Sequence, residues 1–123
     1  MRFASYAVPD AKGGKPSDLS VVTLPGDAGG ELPNVNRWRG QLGLEPLDAA
    51  ALATGSKHVD SKAGSILVVE FAGKQNGAPA RMLAAILKTN DATWFFKLTG
   101  DDPAVAASRG DFLGFLRSLR PAR

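Results

Sequence analysis

Few residues in this chain are equipped for chemistry. His58 is the single histidine, so a His-based triad or a multi-histidine metal site is excluded, and Asp60 makes at most a weak pair with it. Cysteine is absent, which removes thiolate catalysis, disulfides and cysteine-ligated metals. Glu70 stands out because it interrupts the most apolar run, Ser65 to Phe71. A carboxylate there is costly unless paired, with Arg37, Arg39, Arg81 or Lys97 as candidate partners. Its functional reading is a general base of raised pKa in a small hydrolase or lyase, with Arg37 or Lys97 as electrophile. The competing and preferred reading is an edge position or a structural ion pair.

A second cluster is denser. Between Gly29-Gly30 and Gly43 lie Asn34, Asn36, Arg37, Trp38, Arg39 and Gln41, side chains that both pack and hydrogen-bond. Trp and Arg dominate binding hot spots, so this stretch is the candidate recognition surface. The architectural alternative carries more weight: Trp38 enters the core while the amides tie down neighbouring loops. The glycines at 13, 14, 26, 29 and 30 form neither a phosphate loop nor a dinucleotide fingerprint, so we expect no cofactor and no metal. Arg109, Arg117, Arg120 and Arg123 make the C-terminal helix basic. A solvated face is the simpler account, and an anion or lipid-headgroup contact the alternative.

The elements that position these residues follow from pattern. Phe3 to Val8 and Leu19 to Leu24 read as strands joined by a loose loop around Lys12-Gly13-Gly14-Lys15. Pro33 opens a helix whose apolar stripe is Val35, Trp38 and Leu42, with Asn34, Arg37 and Gln41 beside it, Gly43 as the left-handed terminator and Pro46 beyond. Asp48 caps a short helix over Ala49 to Ala53. Lys57 to Asp60 is a short strand or an extended connection. Ser65 to Phe71 is a central strand, Asn76-Gly77 a hairpin turn, and Arg81 to Leu87 and Thr93 to Leu98 two further strands. A last helix, capped by Asp102 with Pro103 at its first position, buries Val105, Phe112, Leu116 and Leu119. The element order is β-β-α-α-β-β-β-α, an α+β fold with an antiparallel sheet covered by helices.

The 123 residues suit one domain. An apolar share of 44% with 22% charged residues is ordinary for a globular domain. No apolar run approaches the roughly 20 residues of a membrane-spanning helix. The net charge of +3 is modest for a nucleic-acid binder, and no base-stacking platform accompanies it, so nucleic acid is not an expected partner. Weak contact with anionic surfaces is compatible with it. No secretory signal is visible at Met1-Arg2-Phe3, although a domain cut from a longer precursor would look the same.

Two motifs and the terminal helix carry a resemblance over nearly the whole chain from Leu19 onward. They are Asn34-Val35-Asn36-Arg37-Trp38-Arg39-Gly40-Gln41, the run Trp94-Phe95-Phe96-Lys97, and Phe112 to Leu119. The chain resembles a group of uncharacterised bacterial domains similar to the PsbP-like fold, which the photosystem II extrinsic protein shares with the Ran-binding factor Mog. The resemblance implies an α/β/α sandwich, no established enzymatic activity, and frequent residence outside the cytoplasm behind a leader. The expectation is a non-catalytic binding or accessory domain acting through a protein partner. Neither manganese or calcium chemistry nor Ran binding carries over, because the residues responsible are not matched here.

Overall fold

The computed structural model describes residues 2–10 and 12–121, and the side chains of all of these except Arg2 and Phe3. Their backbone builds an α+β fold around an open sheet of six strands in the order β1-β2-β6-β5-β4-β3, antiparallel at every pairing. The strands are β1 (Arg2–Val8), β2 (Ser17–Pro25), β3 (Lys57–Ser61), β4 (Gly64–Gln75), β5 (Ala78–Lys88) and β6 (Ala92–Asp101). The helices are α1 (Glu31–Gln41), α2 (Ala49–Gly55), α3 (Asp102–Ala107) and α4 (Arg109–Arg117).

Turn chemistry sets the register. Asn76 and Gly77 both take positive φ, at 53° and 79°, as a two-residue hairpin turn requires. That turn aligns Glu70 with Leu83 and Phe71 with Met82. The N-terminal hairpin joins the rest of the sheet by pairing β2 with β6, Leu19 opposite Leu98 and Val21 opposite Phe96.

Successive side chains on a strand point to opposite faces, and β4 shows the consequence. Leu67, Val69 and Phe71 join Val35 and Trp38 of α1, Leu42 just after it and Leu52 of α2 in one buried cluster. Ile66 and Val68 join Val105 of α3 and Phe112 and Leu116 of α4 in a second. Burying Val35 and Leu42 stabilises α1 on the sheet by roughly 1.5–3 kcal/mol each.

The expected element order needs two corrections. Lys57–Ser61 is a true edge strand, pairing Val59 with Ile66. The last helix is two helices, broken at Ser108, whose hydroxyl donates to the Ala104 carbonyl at 3.2 Å. Asp102 does not cap either of them. Its carboxylate accepts from Arg81 instead, and Asp101 occupies the N-cap position without a side-chain bond.

Candidate functional site

The stretch from Gly29 to Leu44 is held from both ends. Ala28, Gly29 and Gly30 all have positive φ, and the Asn34 amide steadies this entry by donating to the carbonyls of Ala28 (2.9 Å) and Gly30 (2.6 Å). At the exit, Gly43 at φ 73° donates to Gly40, and Leu44 donates back to Arg39. This paired pattern satisfies the last helical carbonyls. Leu42 keeps its carbonyl for the Lys74 N–H on β4, at 3.0 Å. Gly73 permits that approach, since a Cβ there would stand 2.3 Å from the Leu42 oxygen.

Along the helix the predicted residues divide. Trp38 is 1% exposed and meets Phe95 edge-on, ring centroids 5.7 Å apart. Asn36 exchanges two bonds with Leu47, receiving its N–H at 2.7 Å and donating to its carbonyl at 2.9 Å. Arg39, half-buried, lies 5.6 Å over the Phe71 ring and donates to the Glu45 carbonyl at 2.8 Å. Arg37 and Gln41 are exposed. Three of the six residues therefore serve architecture, and the surface that the helix offers is Arg37, Gln41 and the outer part of Arg39.

Glu70 lies on the other side of the sheet. It accepts from Arg81 at 2.7 Å and from two nitrogens of Arg109. Arg81 in turn donates to Asp102 at 2.6 Å. The Arg109 hydrogen bonds, opposed by partial burial and helped by Arg81, hold the Glu70 carboxyl below its ordinary range. That is the reverse of what a general base at neutral pH requires. The electrophiles proposed for it are also out of reach. Glu70 aligns with Leu83 and Leu98 in the second cluster, whereas Lys97 aligns with Ala84 and Val69 on the first face. The sheet separates Glu70 from Lys97 and from Arg37, so the hydrolase or lyase constellation does not assemble.

Lys97 instead reaches over the Trp38 ring, 5.7 Å from its centroid. Burial pushes this ammonium below the ordinary lysine range, and the charge of Arg37 adds to the effect. His58 is exposed on β3. Of the basic C-terminal residues, Arg109 is committed to Glu70, Arg117 and Arg120 are exposed, and Arg123 lies outside the described residues.

One feature has no counterpart among the sequence expectations. On the face opposite α1, a groove of about 710 Å³ runs between the β5–β6 turn and the chain leaving α4. Leu87, Trp94, Phe96 and Leu119 supply its apolar lining, with Lys88, Asp91 and Arg120 among the exposed polar residues around them. Trp94 and Phe96 stack at 6.4 Å with 14° between their planes. Phe115, 39% exposed, meets Phe96 edge-on at 5.8 Å. The volume falls in the range of small-molecule and side-chain pockets.

With this geometry in hand, comparison with solved structures finds a similar fold. A Pseudomonas aeruginosa protein of unknown function, PA94, superposes with a TM-score of 0.62 at 10% sequence identity, over 100% of this chain and 85% of that one. The likeness is one of fold. No protein-family model matches the chain, and no curated protein does.

Proposed function

We propose that this chain is a non-catalytic binding or accessory domain acting through a protein partner. The observation that carries the reading is the aromatic groove. Trp94 keeps part of its surface in water beside an apolar floor of Leu87, Phe96 and Leu119, and aromatic anchors seated in such pockets concentrate binding energy. The groove takes an apolar side chain or short apolar segment of the partner, with Asp91 and Arg120 placed for polar contacts around it. Arg37, Arg39 and Gln41, first read as the contact surface, offer a second and more polar face. The fold belongs to the same proposal as a PsbP-like helix–sheet–helix sandwich, supported by the resemblance and by apolar clusters that combine each pair of helices with the sheet. Residence outside the cytoplasm rests on the resemblance alone.

Selection from a random displayed-peptide library tests the groove. The expected result is enrichment of peptides with aromatic or branched aliphatic anchors, whose addition shifts the Trp94 indole resonance. Trp94→Ala should weaken their binding by on the order of tenfold or more. Selected peptides that bind Trp94→Ala unchanged would place the contact elsewhere, and no enrichment over an unrelated domain would remove the proposal.

A further inference from the structure

On the α1 side of the sheet, Lys97 and Arg37 are two cations with no carboxylate within ion-pair distance among the described residues. Lys97 rises from β6, in register with Ser20 of β2 on one side and Ala84 of β5 on the other. Its side chain is half-buried and its Nζ covers the Trp38 ring. Arg37, exposed on α1, directly precedes the Trp38 over whose ring Lys97 lies, and its charge lowers the Lys97 pKa. Elsewhere the pattern differs. Arg81, Arg109 and Lys88 each hold a carboxylate within ion-pair distance. Among the described residues, neither Lys97 nor Arg37 does. The carboxylate that acts on Lys97 is Asp18 of β2, and one of its oxygens takes the Ser5 hydroxyl at 2.6 Å.

A half-buried ammonium beside a guanidinium is electrostatically unfavourable unless something negative joins it. The cation–π contact with Trp38 offsets part of that cost. The surroundings supply further donors. Ser20, 8% exposed, sits beside Lys97 across the β2–β6 pairing. Gln41 is exposed one helical turn beyond Arg37, on the same flank of α1.

We propose that Lys97 and Arg37, with Ser20 in register beside Lys97 and Trp38 beneath its ammonium, form a binding site for an oxyanion, the phosphate or carboxylate group of a small ligand. The guanidinium presents a planar fork to two anion oxygens while the ammonium contributes a compact charge. Lys97 lies on the opposite face of the sheet from the aromatic groove, so neither site depends on the other.

The test is a titration of isotopically labelled protein, following the Lys97 Cε and Trp38 indole resonances. Inorganic phosphate and acetate are added separately, with sodium chloride at matched ionic strength as the control. Saturable shifts with phosphate, with acetate or with both are expected, and the pattern identifies the group that the site takes. The Lys97 titration should also move upward in the presence of the anion that binds. Arg37→Gln, at an exposed position, and Lys97→Met, which keeps an apolar stem over Trp38, should each weaken binding on the order of tenfold. Their melting temperatures establish that both variants are folded. Shifts reproduced by chloride alone, no saturable shift with either anion, or equal affinity in both folded variants would overturn the proposal.

Discussion

Arg109 grips both oxygens of Glu70, its Nε donating to Oε1 at 2.8 Å and its Nη2 to Oε2. The contact spans 39 residues of sequence and pins the first turn of α4 to β4. Arg81 completes a chain from Arg109 through Glu70 to Asp102 at the start of α3. Both C-terminal helices are thereby tied to the sheet at their N-terminal ends.

The first prediction is a pH dependence of stability. Glu70 has a folded pKa below its ordinary value of 4.5, so the unfolded chain binds its proton more readily. Its contribution is complete above the ordinary carboxylate range and is lost as pH falls through the lowered folded value. Glu70→Gln should cost about 1 kcal/mol at neutral pH, a small figure because solvent screens a carboxylate whose side chain is 24% exposed. The difference between the two proteins in urea midpoint should shrink towards pH 3. A difference independent of pH would mean that the pairing does not stabilise the fold.

Two glycines separate close approach from propensity. Gly73→Ala drives a Cβ to 2.3 Å from the Leu42 carbonyl, which must displace α1 or break the Lys74–Leu42 bond. The expected loss is about 2–3 kcal/mol. Gly40→Ala meets nothing within 4 Å on the surface of α1, so helix propensity should stabilise the protein by up to about 1 kcal/mol. Chemical denaturation of both variants checks the pair, and the opposite signs are the result that matters.

Asn36 offers a third case. Its amide satisfies both backbone groups of Leu47, and this holds the 42–48 connection against α1. Asn36→Ala should cost roughly 1–2 kcal/mol and speed hydrogen exchange at the Leu47 amide. Unchanged exchange at Leu47 would show that the connection is held by other means.

What was legible in the sequence followed from local rules. The Val35, Trp38, Leu42 spacing, the Gly43 terminator and the Asn76-Gly77 turn each depend on a few adjacent residues, and each appears as expected. Relations across strands were not legible. Whether Glu70 and Lys97 share a face depends on two successive pairing registers, and the turn between β5 and β6 carries no residue pair that dictates its own. The break at Ser108 was hidden because the Asp102-Pro103 start looked complete by itself, while Arg81, 21 residues earlier, drew the aspartate away. Arg109 read as one more basic residue of a solvated helix. The groove had no sequence signal, because Trp94 is one residue of an alternating strand until the end of α4 determines how much of it stays in water.

The two tryptophans provide the last prediction. Trp38 lies under α1 with 1% of its surface exposed, whereas Trp94 is half-buried at the groove. Each can be isolated, Trp94 in the Trp38→Phe variant and Trp38 in Trp94→Phe. Collisional quenching by acrylamide should then be several-fold more efficient for Trp94, since contact with the quencher scales with the surface it can reach. The Trp38→Phe variant should also lose on the order of 1–3 kcal/mol of stability, because a smaller ring leaves space against Phe95 and uncovers Lys97. Trp94→Phe should change stability less and weaken the binding of groove peptides more. Equal quenching of the two residues would contradict the groove, while a protected Trp94 together with an accessible Trp38 would return the contact surface to α1.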